Sequence, residues 1–82
     1  MTDRERGKRI VEGIAADVSA SLGRNVSGTS WFDDFLLDTS TLVALVSEKS
    51  IQIEFDVDDL SDLPQTPELE LQVTHRIREA LR

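Results

Sequence analysis

Two apolar stripes at helical spacing, one near each end, constrain this chain more than any other feature. In the first, Ile10, Ile14 and Val18 recur every four residues, with Val11, Ala15 and Leu22 filling the same side. In the second, Leu69, Val73, Ile77 and Leu81 repeat the pattern. A period near 3.6 marks one buried face of an amphipathic helix. Both stripes carry start signals. Thr2 and Glu5 have the spacing of a capping box, and Thr66-Pro67 places proline at a first helical position. Gly23 supplies a stop for the first helix, and Arg76, Arg78 and Arg82 lie where cations favour the end of the last one. The spacing predicts helices over about residues 3–22 and 67–81.

The middle is less regular. Residues 23–30, GRNVSGTS, read as a loop of glycine and small polar residues, with Val26 tucked inward. Trp31, Phe32 and Phe35 gather three of the four aromatics into five residues and are expected to plug the core. Leu42, Val43, Leu45 and Val46 follow three candidate N-caps, Asp38, Thr39 and Ser40, and predict a helix over about residues 40–50. Residues 51–57, IQIEFDV, alternate as a strand does. No other segment alternates convincingly, and a lone strand leaves its backbone groups unpaired. The segment therefore reads as the end of that helix and an extended connector, with Ile51, Ile53 and Phe55 reaching inward. Asp58, Asp59, Leu60 and Leu63 suggest one short helical turn.

With 82 residues the chain is expected to be a single domain over residues 1–82 with a thin core. There is no cysteine, and the opening MTDRERGKRI places charges where a signal peptide needs an apolar run. No apolar stretch approaches the roughly 20 residues that span a bilayer. A cytoplasmic chain with no membrane span is expected. Sixteen acidic residues against nine basic ones give a formal net charge of −7, which disfavours nucleic acid as a partner. Between residues 33 and 62 Lys49 is the only basic residue, so the acidic middle can steer basic partners. A lone His75, with no cysteine and no matched serine or carboxylate pattern, argues against an enzyme. Asp56, Asp58 and Asp59 lack the central glycine and late glutamate of a calcium loop, so no metal site is expected.

The order long helix, loop, medium helix, short helix and final helix, in an acidic chain of this length, resembles the acyl carrier protein family. The run Phe32-Asp33-Asp34-Phe35-Leu36-Leu37-Asp38, followed by Leu42-Val43-Ala44-Leu45-Val46, is similar to that family's segment opening the second helix. Ile53 to Leu60 resembles the stretch joining its second and third helices. Thr39 stands where the family's Asp-Ser-Leu triplet has serine, Ser40 comes one position later, and the stretch from Val46 to Ile51 is about two residues short.

The resemblance implies an all-α fold, a bundle of three main helices plus one short helix. It implies a discrete carrier that tethers acyl intermediates as thioesters on a covalent 4'-phosphopantetheine arm, for fatty acid, polyketide or related biosynthesis. The arm would sit on Ser40, or alternatively Thr39, beside Asp38. A phosphopantetheinyl transferase and acyl-transferring or condensing enzymes with basic docking patches would be the partners. They would be met by Asp33, Asp34, Asp38, Glu48 and Glu54. The alternative is an unmodified, carrier-like interaction module that docks a partner enzyme through its acidic second helix.

Overall fold

The computed structural model describes residues 2–82. Both striped segments are helices. The first, α1, spans Asp3–Ser21, with the Thr2 hydroxyl accepting from the Glu5 N–H at 3.2 Å. It ends at Leu22, with Gly23 at φ 71°. The Gly23 N–H donates to the Ala20 carbonyl and the Arg24 N–H to that of Ser19, the paired bonds of a Schellman ending.

The centre is a sheet. Strand β1 spans Val26–Asp34, β2 spans Thr39–Val46 and β3 spans Lys49–Asp56. They form one antiparallel sheet in the order β1-β2-β3. A short helix α2 (Val57–Asp62), a 3₁₀ turn (Leu63–Gln65) and the final helix α3 (Pro67–Leu81) complete the chain.

The sheet corrects the all-α bundle. The helix expected over residues 40–50 is absent, and β2, a turn and the start of β3 occupy its place. The apolar residues there satisfy two periods at once. Leu42, Val43, Leu45 and Val46 fit a helical face, but Ser40, Leu42, Ala44 and Val46 also alternate, and these four are the buried ones. β-branched side chains favour the pleated alternative. The strand pattern of residues 51–57 then finds the partner it lacked, because Leu42 faces Ile53 and Ser40 faces Phe55. The expected loop at residues 23–30 is largely β1, whose small polar residues suit an exposed strand.

Hairpin geometry fixes this register. Ser47 and Glu48 form a two-residue connection between β2 and β3, both with positive φ (48° and 71°). Two consecutive left-handed residues match the right-handed twist of the strands they join.

All helices pack on one side of the sheet. Val11, Ala15 and Val18 from α1, Leu60 from α2, and Val73, Ile77 and Leu81 from α3 meet Leu42, Val46, Ile53 and Phe55 from the strands. Each fully buried leucine, isoleucine or phenylalanine contributes roughly 1.5–3 kcal/mol, so this layer carries most of the stability. Gly7 lets α2 come close, since a Cβ there would lie 1.8 Å from the Leu60 carbonyl oxygen. The other side of the sheet carries no helix.

Candidate docking surface

The nine-residue strand β1 is tied to α1 by polar contacts at its C-terminal half. The Trp31 indole N–H donates to a Glu12 carboxylate oxygen at 2.9 Å. Lys8 lies 2.9 Å from Asp33 Oδ1 and 5.3 Å from the centroid of the Trp31 ring. The Ser40 hydroxyl, fully buried on β2, donates to the same Asp33 oxygen. The Ser40 hydrogen bond first, and the Lys8 ammonium second, hold the Asp33 carboxyl below its ordinary value. Trp31 in turn leans on Phe55, their rings tilted with centroids 6.1 Å apart.

Beyond this anchor the chain turns outward. Asp34 Oδ1 accepts from the N–H groups of Leu36 and Leu37 at 3.0 and 3.1 Å, bending the β1–β2 connection back on itself. Asp38 closes the turn with φ 55°. The side chains between those two aspartates have nowhere to bury. Phe35, Leu36 and Leu37 are 84%, 97% and 68% exposed, and Phe32 beside them is 65% exposed. A shallow hollow of about 470 Å³ lies against this tip, lined by Phe32, Phe35, Leu36, Thr39, Thr41 and Glu54 among others. Four large apolar side chains held in water at one end of a small domain form a patch of the kind that marks an interaction site.

Of the residues expected at a carrier site, all but Glu48 lie at the tip end of the sheet, where Asp33, Asp34, Thr39 and Glu54 line the same hollow and Ser40 bonds Asp33. Ser40 and Thr39 lie on β2, so neither hydroxyl opens a helix of its own. Ser40 is fully buried and Thr39 is buried as well. The helix expected over residues 40–50 to dock partners is replaced by β2 and β3. Asp33 turns inward to Lys8 and Ser40, Asp34 and Asp38 frame the apolar tip, and Glu54 lies on the open sheet face across from Thr41. Glu48 sits in the opposite hairpin, a full strand of eight residues and roughly 27 Å away. A phosphopantetheine arm, implied by the resemblance on a hydroxyl that opens a helix, finds no support in this geometry.

Phe32 and Phe35, expected to plug the core with Trp31, face water instead, and only Trp31 packs against the core. Two flanking turn formers, Asp34 and Asp38, were the available signal that the residues between them form an exposed tip. Among the described residues no group of three or more histidine, cysteine or acidic side chains could hold a metal ion, and no helix is long and apolar enough to cross a membrane.

Comparison with protein-family models, with curated proteins and with solved structures found no match to this chain.

Proposed function

We propose that this chain is a non-enzymatic docking module whose β1–β2 tip, Phe35-Leu36-Leu37 with Phe32, inserts into an apolar cleft rimmed by basic residues on a partner protein. The observation that carries this reading is the exposure of those four side chains beside the carboxylates of Asp34 and Asp38. Keeping four such side chains in water forgoes about 1.5–3 kcal/mol each, which a partner recovers on binding. The acidic frame supports the choice of partner. It repels the anionic surface of a membrane leaflet, which otherwise accepts an exposed apolar tip. It complements lysine or arginine around a cleft, steering encounter and excluding acidic competitors. A reducing, cytosolic setting suits a chain without cysteine.

The test uses a defined probe, an amphipathic helical peptide with a leucine stripe flanked by lysines, set against the same stripe flanked by glutamates. Titrated into the isotopically labelled protein, the lysine peptide is expected to shift the backbone resonances of residues 32–38 selectively. The Leu36→Ser variant loses that response while keeping its fold, and the glutamate peptide gives none. Equal binding of both peptides, or shifts centred elsewhere, rejects the reading. Stronger binding to neutral lipid vesicles than to the lysine peptide assigns the tip to membranes instead.

A further inference from the structure

The sheet has two outer edges, and the chain treats them differently. The β3 edge is guarded. Arg76 on α3 reaches over to donate to the Glu54 carbonyl, and its guanidinium stands 4.8 Å from the centroid of the Phe55 ring. The β1 edge has no such cover. Among the described residues no backbone or side-chain group outside β2 hydrogen-bonds to the main chain of residues 26–34. That edge also lacks the lysines, arginines and prolines with which proteins blunt an exposed strand. Its two acidic residues, Asp33 and Asp34, both lie at one end.

We infer that β1 is the contact strand for a second copy of this chain, paired antiparallel about Ser30 to make one continuous six-stranded sheet. The strand is complementary to itself in this arrangement. Centred on Ser30, the pairing sets Phe32 of each copy opposite Gly28 of the other, on the open face of the sheet. An aromatic ring laid over an edge glycine covers backbone that the glycine leaves bare. Thr29 meets Trp31 on the helix side. Asp34 comes opposite Val26, so the two Asp34 carboxylates stand eight residues apart, about 27 Å along the strands. That distance exceeds the Debye length of about 8–10 Å at ordinary ionic strength, and the local repulsion is screened. A parallel pairing brings all four carboxylates together and is excluded by like charge. The bulge between Val26 and Gly28 confines the regular pairing to Gly28–Phe32 and its neighbours. A two-fold axis through Ser30 closes the assembly at two chains, consuming the open edge. This inference rests on the β1 edge; of the proposed docking tip it engages only Phe32 and leaves Phe35, Leu36 and Leu37 free.

The absence of cysteine makes the test direct. Ser30 is exposed, and the Ser30→Cys variant introduces the only thiol, at the one position that meets itself across the axis. Opposed residues of antiparallel strands have Cα atoms about 4.5–5.5 Å apart, within the roughly 4.4–6.8 Å that a disulfide spans, so mild oxidation can link them. Light scattering of the native chain across a wide concentration range is expected to show a species of twice the 9.2 kDa of one chain. That species grows with concentration, and grows further with salt because each copy carries a formal charge of −7. Ser30→Cys is expected to cross-link nearly completely. Gly28→Cys and Phe32→Cys are each expected to cross-link poorly alone and readily when mixed. A native chain that stays at single mass throughout, with folded Ser30→Cys remaining reduced, overturns the inference. So does a Leu36→Cys chain that cross-links faster than Ser30→Cys, which moves the contact to the hairpin tip.

Discussion

At the scale of single residues, the Asp33 carboxylate is the most informative group in the chain. It accepts from a fully buried hydroxyl and pairs with Lys8, so its removal acts mainly through Ser40. A buried hydroxyl left without a partner costs about 1–3 kcal/mol. Lys8 and Asp33 retain 16% and 29% side-chain exposure, and an ion pair that wet contributes at most about 1 kcal/mol. Asp33→Ala is therefore expected to lower stability by about 1–2 kcal/mol and Ser40→Ala by less. In a double-mutant cycle followed by urea unfolding, the pair is expected to be non-additive. The sign of the pH dependence follows from the depressed pKa. Asp33 binds its proton less readily when folded than when unfolded. Its contribution is present above the ordinary value of 3.8 and is lost as pH falls through the lower folded value. The stability gap between the native chain and Asp33→Asn should hold constant at neutral pH and narrow only below about pH 4. A gap that closes between pH 5 and 7 contradicts this account.

At the scale of elements, the two glycines within α1 contrast in what they touch. Gly7 meets the Leu60 main chain, and a backbone carbonyl cannot swing aside as a side chain does. Gly13, two turns on, has nothing within 4 Å of a Cβ built there. Both substitutions by alanine gain up to about 1 kcal/mol of helix propensity. Gly13→Ala keeps that gain and is expected to raise the melting temperature by several degrees. Gly7→Ala forces α2 away from α1, an overpacking of about 1–3 kcal/mol or more that outweighs the gain. Thermal unfolding by circular dichroism checks both signs in one experiment. If Gly7→Ala is as stable as the native chain, α2 does not rest on α1 as described.

For the whole molecule, the helices cover one side of the sheet and leave the other side, one strand edge and one hairpin tip to solvent. This division separates stability from interaction. Among the described residues, a layer of thirteen buried apolar side chains holds the fold, whereas Phe32, Phe35, Leu36 and Leu37 lie outside it. It also bears on covalent loading. Incubation with coenzyme A and a broad-specificity phosphopantetheinyl transferase is expected to leave the intact mass unchanged, because Ser40 is fully buried in mid-sheet and its hydroxyl is engaged by Asp33. A gain of one phosphopantetheinyl group that disappears in Ser40→Ala would mean that the strand opens to the transferase.

The sequence by itself determined the parts whose signal is local. Thr2, Gly23, Thr66 and Pro67 bound α1 and α3, and the stripes mark the buried faces. Val73, Ile77 and Leu81 are buried in α3, but α1 is centred on Val11, Ala15 and Val18, leaving Ile10 and Ile14 half-buried and Leu22 exposed. A capping hydroxyl, a left-handed glycine and a helical period each act within a few residues, so they are legible without the rest of the chain. The tertiary structure alone decided between helix and strand for residues 40–50, because Leu42 to Val46 satisfies both periods. The choice depends on whether β1 and β3 supply hydrogen bonds on either side, and those partners lie up to about twenty residues away. Tertiary structure likewise decided which apolar residues face water. Trp31 turns inward because Glu12, Lys8 and Phe55 receive it, whereas Phe35 and Leu36, which have no polar atom in their side chains, project from a turn that no other element covers.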